Sequence, residues 1–398
     1  MVFNPTPSSP KTSRWPLAGG LLAVLIILII YLLNRNETIS PLNVTPSPTP
    51  SIVPVLTETP SPINPAVDVP AATVLATGLS IPWDIAFLPD SSFLITERGG
   101  NLVHLYTDGI KKSIKLPHPV PKGEGGLLGI TLHPTFVQNK YVYLYMTTAG
   151  STGGTKNAVF RYVFENDALT NEKVIIKDIP GALYHDGGRL EFGPDGYLYI
   201  TTGEAQTPPI AQDLSSLGGK ILRLTDEGGI PSDNPFGTAV YSYGHRNPQG
   251  LTWDSAGRLW ETEHGRSGVT SGMDELNSIE KGKNYGWPTI EGDKTSPGLV
   301  TPVLNSGAKT TWAPASALYH DGSIFFGGLK GEALYEAVLN GTQVTELKVH
   351  LLSQYGRIRT VKKGPDGIFY LTTSNKDGRG KPVGTDDRLI RINPALLK

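Results

Sequence analysis

The feature that most constrains this chain is a tight turn followed by alternating apolar residues, repeated six times at intervals of roughly fifty residues, the spacing of propeller blades. The turns begin at Leu88-Pro89-Asp90, Asn139-Lys140, Gly193-Pro194-Asp195-Gly196, Asp254-Ser255-Ala256-Gly257, Asp321-Gly322 and Gly364-Pro365-Asp366-Gly367. They lead into Phe93-Leu94-Ile95, Tyr141-Val142-Tyr143, Leu198-Tyr199-Ile200, Leu259-Trp260, Ile324-Phe325-Phe326 and Phe369-Tyr370-Leu371. Proline fixes φ and glycine admits positive φ, so each turn starts a hairpin. The period of two that follows belongs to strands. One such sheet leaves an apolar face that only a neighbour can cover, so six of them predict an all-β, six-bladed propeller over residues 71–398. The competing architecture is a β-sandwich with similar turns. No amphipathic helix of useful length interrupts the pattern, and 46 glycines and 33 prolines suit a turn-rich β fold.

Ahead of this body lie three different segments. Residues 1–14 carry Lys11 and Arg14 and are expected in the cytoplasm by the positive-inside rule. Residues 15–33 are an uncharged, strongly apolar run, long enough to cross a bilayer as a helix. A cleaved signal is the alternative, but its apolar core is usually shorter and no small-x-small site follows Tyr31-Leu32-Leu33. Residues 34–70 are a Pro/Ser/Thr-rich linker that cannot bury enough apolar surface to order itself. The expectation is a membrane-anchored protein with its propeller on the extracytoplasmic side.

Net charge near -1 gives no basis for a nucleic-acid partner. The absence of cysteine excludes disulfides, thiolate metal sites, a cysteine nucleophile and a thioether lipid anchor. No phosphate-cradling loop, dinucleotide fingerprint, nucleophile elbow or zinc-protease helix occurs. Polar clusters in the segments joining the blades remain. His185 lies in Tyr184-His185-Asp186-Gly187-Gly188-Arg189, and Glu204 follows the next strand, where it could orient the imidazole. Ser242-Tyr243-Gly244-His245-Arg246-Asn247-Pro248-Gln249 is too polar to bury unless it is paired or binds something. Arg357 and Arg359 flank one apolar residue, so on a strand both project from one face, where an anion would relieve their repulsion. Lys330 is a third cation near the C-terminus, and Glu263-His264-Gly265-Arg266 with Asp274-Glu275 and Tyr285 could serve a hard cation.

Taken in order, Gly125-Gly126-Leu127-Leu128-Gly129, His185-x-x-Gly188-Arg189-Leu190, Gly244-His245-Arg246-Asn247-Pro248-Gln249-Gly250, Glu263-x-Gly265 with Asp274-Glu275, Asn284-Tyr285-Gly286-Trp287-Pro288 and Arg357-x-Arg359 carry a resemblance. From about Thr73 to Asn393 the chain resembles the pyrroloquinoline quinone-dependent aldose sugar dehydrogenases of the glucose/sorbosone dehydrogenase family. The resemblance implies a six-bladed propeller that oxidises aldoses at the anomeric carbon, with quinone and calcium as cofactors. It implies His185 as general base held by Glu204, and Arg246 beside the quinone oxygens. Asn247, Lys330, Arg357 and Arg359 would grip the cofactor. Gly265 and Arg266 carbonyls would hold one calcium, Glu275 and the Tyr285 carbonyl a second. Glu124 stands where some members carry Gln, and Tyr184 where others have Asp or Asn, so both are expected beside the sugar. A respiratory electron acceptor would be the remaining partner. A calcium-dependent propeller lactonase and a non-catalytic surface binding module are the alternatives.

Overall fold

The computed structural model describes residues 71–268 and 271–397. The expected cytoplasmic segment, anchor and linker lie outside these residues. Among the described residues, no helix is long and apolar enough to cross a membrane. They form six antiparallel four-stranded sheets. The first holds β2 (Pro82–Phe87), β3 (Phe93–Glu97), β4 (Asn101–Leu105) and β5 (Lys111–Lys115). The second holds β6 (Leu127–Leu132), β7 (Tyr141–Ala149), β8 (Thr155–Glu165) and β9 (Ala168–Gly181). The third and fourth are β10 (Leu190–Phe192), β11 (Leu198–Thr202), β12 (Lys220–Leu224), β13 (Val240–Tyr243), and β14 (Pro248–Trp253), β15 (Leu259–Glu263), β16 (Glu275–Ile279), β17 (Leu304–Asn305). The fifth holds β18 (Leu318–His320), β19 (Ser323–Gly328), β20 (Ala333–Asn340) and β21 (Gln343–His350). The sixth joins β22 (Ile358–Lys363), β23 (Phe369–Thr373) and β24 (Leu389–Ile392) to β1 (Ala72–Ala76), so both ends of the body share one blade. Ala72 pairs with Ile392, which seals the ring.

Each of the six turns read from sequence joins the first and second strands of a blade. The glycines of the Pro-Asp-Gly turns have the required positive φ, 78° at Gly196 and 79° at Gly367. Apolar side chains form six clusters, each between neighbouring blades; Phe325, Leu334, Val361 and Phe369, for example, join the fifth to the sixth. The second strands, such as β11 and β23, are buried on both faces because a blade lies on either side.

The turn aspartates also make a repeated outer clasp. Asp254 Oδ2 accepts from Trp260 Nε1 (2.8 Å) and Arg258 Nε (2.6 Å). Asp195 Oδ2 accepts from Tyr199 (2.8 Å) and Arg223 Nε (3.0 Å). Asp366 Oδ2 accepts from Tyr370 (2.9 Å) and Arg391 Nη2 (2.7 Å). On the ring's inner strands, Arg189 pairs with Asp84 (2.6 Å) while Lys362 pairs with Glu191 (2.9 Å). Arg189 Nε and Nη2 also donate to the carbonyls of Gln249 (2.9 Å) and Ala315 (2.7 Å), tying four blades' inner edges together.

Candidate active site

The loops at one mouth of the ring enclose a cavity of about 590 Å³, a size that suits a compact small molecule. His185, Arg246, Lys330, Arg357 and Arg359 all line it, with Glu124, Tyr184 and Arg266. Glu204 lies directly behind, 1% exposed, with Oε1 against His185 Nδ1. A carboxylate only accepts, so with Glu204 ionised the bond is donated by Nδ1–H and Nε2 is left facing away from it. The imidazole is fixed from the backbone as well. His185 has φ of 66°, an uncommon conformation for a residue with a side chain. Its carbonyl accepts from Ala205 N (3.1 Å), and its N–H donates to Glu124 Oε2 (3.1 Å). A Cβ on Gly203 would lie 1.9 Å from that carbonyl oxygen, so this position admits only glycine. On β12, Lys220 is fully buried and its ammonium donates to the carbonyls of Ile210, Ala211 and Gly218 (2.7–3.0 Å). Burial pushes it down to about 7.

The cations are incompletely compensated. Arg246 donates to the His264 carbonyl (3.1 Å) and Ser267 Oγ (3.3 Å), and burial lowers its pKa. Arg359 donates to Gln249 Oε1 (3.0 Å), and its Nε has no partner among the described residues. Burial pulls it down to about 9, opposed by Asp377 and aided by Arg98 and Arg357. Lys330 is exposed at the wall. Arg357 differs from the expectation of two strand residues on one face: it precedes β22, and its charge is met by Asp377, at 2.8 Å from Nη2 and 3.1 Å from Nε. Burial pushes Asp377 up, but Arg357 and Arg359 outweigh it and hold it below the usual carboxylate range.

Asn247 is not on the cavity lining. Its Oδ1 accepts from Gly187 N (3.0 Å), supporting the His185 loop, and its buried Nδ2 has no partner among the described residues. Gly265 donates to Asp274 Oδ1 (2.8 Å), and Arg266, next along, pairs with Glu291 (2.8 Å). Glu275 and Tyr285 belong to a separate buried group inside the fourth blade. There Glu263 faces Glu275 and Glu261 faces Asn277 across β15 and β16. Burial, with the neighbouring acids, pushes Glu275 up to about 8, and burial likewise raises Glu263 to about 8 and Glu261 further. Glu261 Oε1 and Asn277 Oδ1 have no partner among the described residues. Crowded acids with unused oxygens fit a hard cation. His245, Glu261 and Glu263 bring ligand atoms within 4.8 Å of one another. Tyr285 stacks on His245 at 4.8 Å and gives its hydroxyl to the Ser278 carbonyl (2.6 Å).

Several residues of the cavity were not singled out from sequence, four of which bear on its chemistry. Trp83, on β2, lies between the guanidiniums of Arg189 (4.5 Å) and Arg359 (5.6 Å). Gln249 receives Arg359, Arg379 pairs with Glu124 (2.9 Å), and Asp186 has a buried Oδ2 without a partner among the described residues. Burial pushes the Asp186 carboxyl up to about 7. Gln249 and Asp186 stood inside motifs already noted; Trp83 and Arg379 stood outside every motif and come from the two blades that meet at the ring seam.

Fold and cavity define a class: a six-bladed propeller whose mouth sets an imidazole–carboxylate pair against several under-compensated cations. The chain belongs to the glucose/sorbosone dehydrogenase family, whose profile matches residues 79–391. It is 36% identical over 356 residues to aldose sugar dehydrogenase YliI of Escherichia coli (strain K12), covering 81% of this chain and 92% of that one. Among solved structures it is similar to the pyrroloquinoline quinone-bound aldose sugar dehydrogenase of Streptomyces coelicolor, with TM-score 0.75 and 39% identity over 81% of this chain and 98% of that chain. It is also similar to the apo soluble aldose sugar dehydrogenase of Escherichia coli, with TM-score 0.73 and 33% identity over 81% and 99%.

Proposed function

We propose that this chain oxidises aldoses at the anomeric carbon to lactones, using pyrroloquinoline quinone and calcium. The observation that carries this is the meeting, in one cavity, of His185 backed by Glu204 with Arg246, Lys330, Arg357 and Arg359. His185 Nε2 accepts the proton of the anomeric hydroxyl, and Glu204 stabilises the imidazolium that forms. Arg246, Arg359 and Lys330 bind the cofactor's carboxylates and carbonyls, and the unpartnered Arg359 Nε fits a ligand rich in acceptors; Asn247, off the lining, acts by holding the His185 loop through Gly187. Arg357, anchored on Asp377, completes the cationic wall. Trp83 presents an apolar ring among these cations. Bound quinone would supply the two-electron acceptor for the anomeric hydride, and the Gly265 and Arg266 carbonyls would hold a calcium ion supplying Lewis-acid polarisation. A second calcium is assigned to Glu275 and the Tyr285 carbonyl. Glu124 and Tyr184, at the cavity edge beside His185, contact the sugar.

The lactonase alternative needs free acids on the axis. Asp84 and Glu191 are there, but Arg189 and Lys362 already neutralise them. A membrane anchor over residues 15–33 would place the propeller outside the cytoplasm near a respiratory electron acceptor, a proposal supported by sequence alone. The test is reconstitution of the purified protein with quinone and calcium. Cofactor absorbance and dye reduction on adding aldoses are expected. An inert protein that instead hydrolyses lactones with calcium alone would overturn the proposal.

A further inference from the structure

The proposed chemistry occupies Arg246, Lys330, Arg357 and Arg359, and the Arg266 side chain is tied to Glu291, which leaves Arg379 on the described wall without a task. Arg379 projects from the loop between β23 and β24 and reaches Glu124, ahead of β6, at 2.9 Å. Its guanidinium lies 5.4 Å from the centre of the Tyr184 ring, ahead of β10. Loops from the sixth, second and third blades therefore meet at one edge of the cavity. The second Glu124 oxygen accepts the N–H of His185 (3.1 Å), which puts the pair next to the proposed base. Arg379 is 44% exposed, and an ion pair so open to water contributes little to stability. A guanidinium has five N–H donors in a flat fork, and Glu124 engages it from one side only. Donor and acceptor stand side by side with no net charge, a surface that complements neighbouring hydroxyls rather than a carboxylate.

We infer that Arg379, held by Glu124, is a specificity-determining residue that favours neutral aldoses over hexuronates, by hydrogen-bonding sugar hydroxyls other than the anomeric one; this rests on the sugar oxidation proposed above. The neutrality of the pair sets the preference. Removing only the carboxylate leaves an unpaired guanidinium facing the sugar, which suits the carboxylate of a hexuronate.

The test uses the full chain loaded with quinone and calcium, with D-glucose and D-glucuronate as probes. Glu124→Gln is expected to raise the glucuronate-to-glucose ratio of kcat/KM roughly tenfold, and Glu124→Gln with Arg379→Gln to abolish that gain. Arg379→Gln alone is expected to raise KM for glucose roughly tenfold with kcat little changed. A ratio unmoved by Glu124→Gln, or a gain kept by the double variant, overturns the inference while continued turnover upholds the proposed function. If the wild-type chain neither takes up quinone nor oxidises an aldose, the proposed function falls. Calorimetric affinity for glucuronate then decides the charge rule alone: tighter binding by Glu124→Gln supports it, and unchanged binding overturns it.

Discussion

Two regions of this molecule are equally rich in charge and use it in opposite ways. At the outer clasps an aspartate from a hairpin turn is matched to its donors within the same blade. Asp254 is 2% exposed and accepts from Trp260, Arg258 and the backbone of Ala256. The same plan recurs at Asp195 and Asp366, so these groups belong to the repeat. At the cavity mouth the residues come from different blades, no blade repeats another, and donors are left over. Arg359 Nε at the lining, and Asn247 Nδ2 beside the His185 loop that it supports, are buried without partners among the described residues. A polar group repeated and satisfied serves the fold; one that departs from the repeat and is unsatisfied points to a ligand. The Glu261–Glu263–Glu275 group with Asn277 is the acidic counterpart of the mouth, with unpartnered side-chain oxygens, Glu261 Oε1 and Asn277 Oδ1, in place of unused donors.

The contrast can be broken at either side. The largest effect is expected from His185→Ala, which should lower kcat by about 10²–10⁴-fold and leave quinone affinity, read from cofactor absorbance, near wild type. Loss of quinone binding instead would make His185 a structural member of the site. Arg359→Ala should weaken quinone binding by roughly 10²-fold without lowering the urea midpoint of the apo protein, because it removes an under-compensated charge. A fall in that midpoint would move Arg359 to the clasp category. Calcium at a hundredfold excess over its Kd should add about 2.7 kcal/mol per occupied site to stability, with a rise in Tm that Glu275→Gln reduces. An equal rise in that variant would remove Glu275 from the ligands.

Asp254→Ala should cost about 2 kcal/mol, because the buried Trp260 Nε1 and the Arg258 side chain lose their acceptor, and should leave kcat/KM unchanged. That cost has a pH signature. Burial pushes Asp254 up, but the bonds from Trp260, Arg258 and the backbone outweigh it, so its folded pKa is depressed. Its contribution is therefore complete above the ordinary carboxylate pKa of about 3.9 and fades as pH falls through the lower folded value. The gap between wild type and Asp254→Ala should be full at neutral pH and narrow in acid; a constant gap would assign the effect to packing.

Sequence reading reached far on one side of this contrast and stopped short on the other. Turn chemistry and alternation are local, so all six turns fell between the first and second strands of successive blades. His185 and Arg246 were legible because each sat in a dense polar motif, Lys330, Arg357 and Arg359 because they cluster as cations near the C-terminus, and the cavity gathers all five. Glu204 was legible as a carboxylate one strand beyond the histidine, and it meets the ring. Trp83 and Arg379 were invisible because their meaning depends on ring closure. Thr360 bonds the carbonyl of Trp83 (2.7 Å) across the seam, and no local pattern encodes that contact. Asp377 was missed for the same reason: only the folded loop sets it on Arg357.

The seam also sets a timetable for synthesis. β1 leaves the ribosome first among the described strands, yet its partner β24 is the last of them, so it waits unpaired until all the strands between them have been made. Five sheets can assemble meanwhile, each buttressed by the one before, while the apolar faces at the two ends of the growing arc stay open. A transcript stopped anywhere before Leu389 yields that arc permanently, with bare β edges suited to aggregation or proteolysis rather than a smaller working protein.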